Sequence, residues 1–150
     1  MSAPGKNKMK KVIFFDLDGT LLNLTRLLDS KKAEDVYISS KELQILGKRF
    51  RLGLITGATR EEVNTVFDIL PWRDIFETNL VLTKDEISLS KASGVPFAVG
   101  KFLASAPCVM IGDSKGDWLG CKRANLRCFL VKEGNNLQEV IRKAKDSLRN

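Results

Sequence analysis

Five short apolar runs, separated by segments with helical spacing, constrain the fold of this chain more than any other feature. They lie at residues 11–16, 51–56, 80–83, 108–111 and 127–131. A short, continuous run rich in branched and aromatic residues is typical of a strand buried on both faces. Strands that alternate with helices predict an α/β fold, in which a parallel sheet is covered by helices on both faces.

Two helix starts can be read directly from capping boxes, Ser39-x-x-Glu42 and Thr59-x-x-Glu62. In each box the hydroxyl and the acid satisfy backbone N–H groups that the first turn leaves free. Pro71 is expected to end the second of these helices, because proline lacks the N–H that a helix interior needs.

Other helices are predicted from near residue 96, over residues 115–124 and over residues 137–148. Residues 21–38 show no clear periodicity, and we predict a loop there with one short helix that begins near Asn23. No internal repeat and no linker divides the chain.

At 150 residues the chain has the size of one domain. We assign a flexible basic lead-in to residues 1–10 and one domain to residues 11–150. The apolar runs are much shorter than the ~20 residues that span a bilayer, so no membrane association is expected. No targeting signal is visible, which makes the cytoplasm the expected compartment.

The absence of histidine excludes several classes of enzyme. A Ser-His-Asp triad, a Cys-His pair and a His-ligated zinc site all require imidazole. Cys108, Cys121 and Cys128 lack the C-x-x-C spacing of a zinc site and are expected to be buried reduced thiols. A carboxylate nucleophile with a carboxylate acid–base fits these restrictions.

The formal net charge is +7. A positive field favours anionic substrates or polyanionic partners, and the charge alone does not distinguish them. Basic residues near both ends of the chain are typical of solvated surfaces. Nucleic-acid binding is therefore kept as an alternative and is not favoured as the main role.

The segment Asp16-Leu-Asp18-Gly-Thr20 directly follows the first predicted strand. Ligands of open parallel sheets bind beyond the carboxyl ends of the strands. Two carboxylates at this position have a plain chemical use: one attacks phosphorus and holds a cation, while the other handles the leaving-group proton. Gly19 permits a tight exit from the strand.

Two later segments end strands in a similar way. Thr56-Gly57 precedes a helix start, where a hydroxyl and free N–H groups bind anions, although the pattern also fits an ordinary turn. Asp113 and Asp117 follow the fourth run and suit Mg²⁺, although acids at a helix start are also favoured by its dipole.

Lys91 lies in a loop ahead of a helix, about twenty residues before Asp113. A lysine in such a loop is usually solvated, and only its order relative to the other segments gives it weight. Lys84 is a competitor for the same role, but it lies nearer to the end of a strand.

Taken together, D-x-D-G-T, a strand ending in Thr, a loop Lys and G-D-S-x-x-D resemble the motif order of the haloacid dehalogenase (HAD) superfamily of phosphatases and phosphotransferases. The resemblance covers roughly residues 11–131. It implies a Rossmann-like three-layer sandwich whose five-stranded parallel sheet has the order 5-4-1-2-3. It also implies a small, capless member, because the intervals 16–56 and 56–91 are too short for a cap domain.

The resemblance implies catalytic roles for two residues and substrate-binding roles for three. Asp16 resembles the nucleophile that forms an aspartyl phosphate, and Asp18 resembles the general acid–base. Thr56 and the Gly57 backbone resemble the groups that bind the phosphate. Lys91 resembles the cation that neutralises the phosphoryl group.

The resemblance also implies a Mg²⁺ site. Asp113 resembles a direct ligand, alongside Asp16 and the Asp18 carbonyl oxygen, and Asp117 resembles the residue that orders metal-bound water. A cation and fixed positive groups fit phosphoryl transfer, which depends mostly on positioning and charge neutralisation.

We therefore expect Mg²⁺-dependent hydrolysis of a phosphate monoester, on a small molecule or on an exposed phosphate of a macromolecule. An oligomer in which another subunit covers the open site is also possible. The alternatives are a receiver-like module that carries phosphate on aspartate, and a catalytically silent scaffold that binds polyanions. Receivers carry their acceptor after the third strand, and every motif position is intact here, which counts against both.

Overall fold

The computed structural model describes residues 10–32, 35–132 and 136–149. The basic lead-in predicted for residues 1–10 lies outside the described residues, apart from Lys10. Five short strands form the centre of the described fold, and they are β1 (Val12–Phe15), β2 (Arg51–Ile55), β3 (Val81–Leu82), β4 (Cys108–Gly112) and β5 (Arg127–Leu130).

The strands form one parallel sheet in the order β3-β2-β1-β4-β5. β1 lies at the centre, where Val12 is in register with Arg51 of β2 and with Cys108 of β4. All four residues of β1 are fully buried, which is why their sequence is apolar without alternation. The predicted five-stranded parallel sheet in the order 5-4-1-2-3 is confirmed.

Six α-helices connect and cover the strands in the described ranges. They are α1 (Leu24–Ser30), α2 (Ser40–Arg49), α3 (Arg60–Ile69), α4 (Val95–Ala104), α5 (Lys115–Arg123) and α6 (Leu137–Ser147). Both predicted capping boxes are present, at Ser39 before α2 and at Thr59 before α3. α3 ends at Ile69, ahead of Pro71, as predicted.

Two hydrophobic cores pack against the two faces of the sheet. Ile13 and Phe15 belong to one core, which also contains the fully buried Trp72. Phe14 belongs to the other core, together with Phe97 of α4. Side chains that alternate between two buried faces require helices on both sides, so the predicted three-layer arrangement is confirmed.

The interval between β1 and β2 holds α1 and α2 in its described part, and no separate cap domain is found there. Asn23 caps α1 by accepting a hydrogen bond from the backbone N–H of Arg26, so the predicted short helix begins where expected. Leu22 forms an isolated bridge with Val36, which returns the chain towards the sheet.

The cysteines are free thiols. Cys121 is buried, as predicted, whereas Cys108 and Cys128 are partly buried. In the described ranges we find no helix with both the length and the apolar character needed to cross a membrane.

Candidate active site

Asp16 stands at the carboxyl end of the central strand. Its backbone N–H donates to the carbonyl of Ile111 on β4 at 2.9 Å, which extends the β1–β4 ladder by one residue and fixes the position of the carboxylate. The side chain is nearly buried, with 7% exposure for the residue, and its Oδ1 accepts the backbone N–H of Leu17 at 2.7 Å. A nearly buried carboxylate at this edge of a sheet is held rigidly.

Gly19 brings the loop after β1 against the Asp113 carboxylate. Its φ of +82° lies in the left-handed region, which favours glycine. A Cβ at this position would collide with Asp113 Oδ2, so a side chain here would displace the carboxylate. The buried Thr20 then donates its hydroxyl to Asp113 Oδ1 at 3.3 Å. The D-x-D-G-T loop and the end of β4 are thus fitted to one another.

Asp18 is exposed, and its carboxylate lies apart from the other aspartates of the site. Its Oδ1 accepts the backbone N–H of Leu24, the first residue of α1, at 2.9 Å. The helix start therefore fixes one carboxylate oxygen of Asp18, and no hydrogen-bond partner for Oδ2 is found in the described part of the chain.

Lys91 bridges two carboxylates, one that directly follows β1 and one in the first turn of α5. Its Nζ lies 2.8 Å from Asp16 Oδ1 and donates to Asp117 Oδ1 at 2.9 Å. Asp117 is fully buried, and its Oδ2 accepts the backbone N–H groups of Asp113 and Ser114 at 3.2 and 3.3 Å. Both oxygens of Asp117 are thus committed, one to the loop after β4 and one to Lys91.

Burial and neighbouring charges act in opposite directions on the pKa values of Asp16 and Lys91. Burial raises the pKa of Asp16 well above its ordinary value of 3.8, the Lys91 ammonium opposes that rise, and the Asp117 carboxylate adds to it. Burial alone would lower the pKa of Lys91, but its two carboxylate partners outweigh burial, so the net shift is upward. Lys91 therefore remains a cation at neutral pH.

The acidic cluster, which is Asp16, Asp113 and Asp117, suits a hard divalent cation. One carboxylate oxygen from each residue lies within 4.8 Å of the others. With all three ionised and Lys91 protonated, the group carries a net charge of two minus. Carboxylate oxygens are the ligands that Mg²⁺ prefers, so the donor set fits this ion. Asp113 and Asp16 are the best-placed donors, because Lys91 and backbone N–H groups occupy both oxygens of Asp117.

Thr56 ends β2 on the other side of β1. It is buried, and its Oγ1 accepts the backbone N–H of Ala58 at 3.0 Å, which curls the loop towards α3. Thr56, Gly57 and Lys91 line a cavity of about 300 Å³, together with apolar residues that include Leu89. The loop after β2 and Lys91 thus border a common space.

A cluster around Arg60 supports the wall of this cavity. The Arg60 guanidinium donates to Glu86 Oε1 at 2.5 Å and to the carbonyl of Val81 at 2.8 Å. Glu86 Oε1 also accepts the backbone N–H of Thr83 at 2.7 Å. Burial would raise the pKa of Glu86, but these hydrogen bonds outweigh it and lower the pKa from its ordinary value of 4.5.

The structure brings most of the predicted site residues to one edge of the sheet. Asp16, Lys91, Asp113 and Asp117 lie in direct or near contact, whereas Asp18 faces α1. Thr56 and Gly57 reach the site through the shared cavity with Lys91. Lys84, the competitor of Lys91, is exposed on the rim of that cavity. The roles assigned to these residues remain predictions.

Sequence reasoning missed two supporting contacts. Ser114 forms a third capping box, in which its hydroxyl accepts the N–H of Asp117. The spacing Ser114-x-x-Asp117 carried the same signal as the two boxes that were identified. The hydrogen bond from Thr20 to Asp113 left no comparable signal, because it depends on β1 and β4 being neighbours.

Comparison with protein families gives one match. A family model described as HAD-hydrolase-like matches residues 93–149, a segment that contains Asp113, Asp117 and the helices around them. No curated protein matches the chain.

Solved structures share the fold at low sequence identity. CbbY from Rhodobacter sphaeroides, in complex with phosphate, is 16% identical, with a TM-score of 0.67 over 83% of this chain and 87% of that one. A HAD-superfamily hydrolase from Geobacter sulfurreducens is 14% identical, with a TM-score of 0.63 over 90% and 97%. YfnB from Bacillus subtilis, described as a HAD-hydrolase bound to magnesium, is 13% identical, with a TM-score of 0.62 over 82% and 89%. These structures confirm the fold that the motif resemblance implied.

Proposed function

We propose that this protein is a Mg²⁺-dependent phosphatase that hydrolyses phosphate monoesters through an aspartyl phosphate on Asp16. Its HAD-like fold and its acidic cluster support this proposal. One observation carries the proposal: Lys91 joins Asp16 to Asp117 beside Asp113, at the carboxyl end of the central strand. A cation that neutralises both the nucleophile and the incoming phosphate is what phosphoryl transfer requires.

Asp16 acts as the nucleophile in the first step. Its Oδ1 is held by Lys91 and by the N–H of Leu17, which leaves Oδ2 to attack phosphorus. The new bond joins Oδ2 to phosphorus, and the bond from phosphorus to the leaving oxygen breaks. Asp18 gives its proton to that oxygen, so the leaving group departs as a neutral alcohol.

Asp18 acts as the base in the second step. Its carboxylate takes a proton from water, whose oxygen attacks phosphorus and breaks the bond to Asp16 Oδ2. Inorganic phosphate leaves, and both aspartates return to their starting states. The Leu24 N–H holds Asp18 Oδ1 in both steps, so the group that moves the proton is fixed.

Asp16, Asp113 and the Asp18 carbonyl would hold Mg²⁺, with Asp117 placed to order its water. When bound, the ion supplies charge neutralisation for the phosphoryl oxygens. The Thr56 hydroxyl accepts from Ala58 and keeps its own proton for a phosphoryl oxygen, since no acceptor for it is found in the described part of the chain.

The cavity beside Thr56 and Lys91 would receive the leaving group. Ile87 and Leu89 line it together with Pro96, so it favours an apolar organic group over a strongly polar one. Leu89 is 56% exposed, which an apolar substrate group would reduce. Substrates that carry an exposed phosphate on a larger molecule also fit the proposal, since no separate cap domain is found in the described part of the chain. The cytoplasmic location stays a prediction.

Hydrolysis of a generic aryl phosphate by the wild type and by Asp16→Asn, with Mg²⁺ and with EDTA, tests the proposal. We expect turnover that needs Mg²⁺ and is lost in the variant. Turnover that survives in Asp16→Asn would overturn the mechanism. A receiver-like module would instead take up phosphate from acetyl phosphate once and hold it, without continuous release.

A further inference from the structure

A basic groove lies at the edge of the sheet opposite to the acidic cluster. Its first part is a cavity of about 520 Å³ between the carboxyl ends of α2 and α6. Five cationic side chains line it, and they are Lys11, Arg49, Arg142, Lys145 and Arg149. Lys11 precedes β1 and Asp16 follows it, so the length of β1, about 13 Å, separates this cavity from the site.

The second part is a neighbouring cavity of about 590 Å³, and both parts are lined by Leu148. Lys101, Lys122 and Arg127 line this second part. Asp146 is the one acidic residue among the described residues that line either cavity. The groove thus has eight basic residues and one acidic residue. This excess of basic residues is much larger than in the whole chain, which has 25 basic and 18 acidic residues.

Ion pairs within the protein leave most of this charge available. Asp146 lies 3.7 Å from Arg142 and 3.8 Å from Arg149, whose side chains are 63% and 77% exposed. Ion pairs this long and this exposed contribute little, typically ~0–1 kcal/mol. In the described part of the chain, Arg49 and Lys145 have no carboxylate partner.

Helix-end capping explains part of the groove. Lys11 donates to the carbonyl of Leu148 and Arg127 donates to that of Ser147, so both fasten the end of α6. Lys101 donates to the carbonyls of Ala124 and Asn125 beyond α5. Cations near helix ends are worth only ~0.3–1 kcal/mol each. Capping does not explain why Arg49, Arg142, Lys145 and Arg149 also line the same cavity.

We propose that this groove binds the phosphodiester backbone of a nucleic acid. Its cations are spread over two adjoining cavities, which suits a row of phosphates and exceeds what one phosphate group can contact. An anionic membrane is less suited, because the groove is recessed and Phe50, its aromatic lining residue, is buried. The groove is separate from the acidic cluster, so this proposal does not rest on the phosphatase reaction.

Fluorescence anisotropy with a labelled DNA duplex, over about 50–200 mM salt, tests the proposal. The wild type should bind with an affinity that falls steeply with salt. The variant Arg142→Gln/Lys145→Gln/Arg149→Gln should bind at least about tenfold more weakly, with a salt slope smaller by up to about 2.7, since each lost phosphate contact removes about 0.9. Asp16→Asn should bind like the wild type.

A matched control removes the same charge at the opposite edge. Arg26, Lys31 and Lys41 are exposed on α1, just after it and at the start of α2. The variant Arg26→Gln/Lys31→Gln/Lys41→Gln should keep the wild-type affinity within about twofold. Equal weakening in both variants would reduce the effect to net charge and overturn the proposal. So would absence of DNA binding by the wild type, or groove-dependent binding to phosphatidylserine vesicles without DNA binding.

Discussion

Lys91 and Asp117 are 26 residues apart in the chain, and the Lys91 ammonium donates to Asp117 Oδ1 at 2.9 Å. Asp117 in turn is held by the N–H groups of Asp113 and Ser114 through its other oxygen. The cation that contacts Asp16 is therefore positioned by the same carboxylate that shapes the loop after β4.

We predict that Asp117→Asn impairs catalysis by misplacing Lys91. The single amide oxygen will stay with the two backbone N–H groups, which turns the NH₂ group towards the ammonium. We expect kcat/KM to fall by about 10–100-fold, the usual cost of losing a partner in the outer shell of a metal site. Steady-state kinetics with an aryl phosphate, and the inhibition constant of inorganic phosphate, measure the effect.

Ser114→Ala is the control for this variant. It removes the hydroxyl that caps α5 but leaves both Asp117 oxygens in place. The variant should lose about 1 kcal/mol of stability and keep its inhibition constant for phosphate. Equal losses of phosphate affinity in both variants would assign Asp117 a purely structural role.

Asp18→Asn separates proton transfer from folding. Its side-chain oxygen can still accept the Leu24 N–H, so the melting temperature should be close to that of the wild type. Turnover should fall by about 10²–10⁴-fold, the range typical of general acid–base catalysis. Unchanged turnover would remove Asp18 from its role.

Asp113→Asn should weaken Mg²⁺ binding measured directly by calorimetric titration, without substrate. The change removes one of the two best-placed carboxylate donors and leaves the volume of the side chain unaltered. Thr20→Val keeps the carboxylate but removes the hydroxyl that orients it. We expect a loss of about 10–100-fold for Thr20→Val and a larger one for Asp113→Asn. Wild-type affinity in Asp113→Asn would exclude it as a ligand.

Leu89→Ser tests the leaving-group cavity, on the premise that the chain is a phosphatase. We expect kcat/KM for an aryl phosphate to fall by about fivefold, because the aryl leaving group loses its apolar contact with part of the Leu89 side chain. Acetyl phosphate, whose leaving group is small, should be unaffected. Phe102→Ser changes another exposed apolar residue, 82% exposed and outside this cavity, and should alter neither substrate. A uniform loss on both substrates would contradict the assignment.

Glu86 gives a prediction about pH. Its pKa is lowered in the folded state, so its contribution to stability is present above its ordinary value of 4.5 and is lost as the pH falls through the lowered value. Glu86→Gln should therefore lower the urea midpoint at neutral pH, and the gap to the wild type should narrow below pH 4.5. Asp74→Asn, at an exposed carboxylate without an ion-pair partner in the described residues, should leave the urea midpoint at neutral pH close to that of the wild type.

The sheet could be predicted from the sequence because its strands are buried on both faces. β1 is an uninterrupted apolar run, and the capping boxes at Ser39 and Thr59 define helix starts chemically. The third strand was predicted too long, over residues 80–83, because Leu80 is apolar and buried yet belongs to the 3₁₀ turn Thr78–Leu80. Composition alone does not distinguish a buried turn from a buried strand.

Contacts within the site were less predictable. Lys91 was chosen over Lys84 by motif order alone, and its contact with Asp16 depends on the turn Lys91–Ser93 and on its packing against α5. The basic groove could not be predicted from the sequence, because Lys11, Arg49 and Arg142 are far apart in the chain and only the fold brings them together.

The absence of a cap domain among the described residues has a kinetic consequence. In many enzymes the opening of a lid or the release of product limits turnover. Between β1 and β2 of this chain, α1 is fastened to Asp18 through Leu24, and no second domain has to swing aside. On the premise that the chain is a phosphatase, we expect substrate to enter and phosphate to leave without the movement of such a domain. Raising the solvent viscosity should therefore slow only the encounter with substrate, and the chemical step at Asp16 should set the turnover rate at saturation.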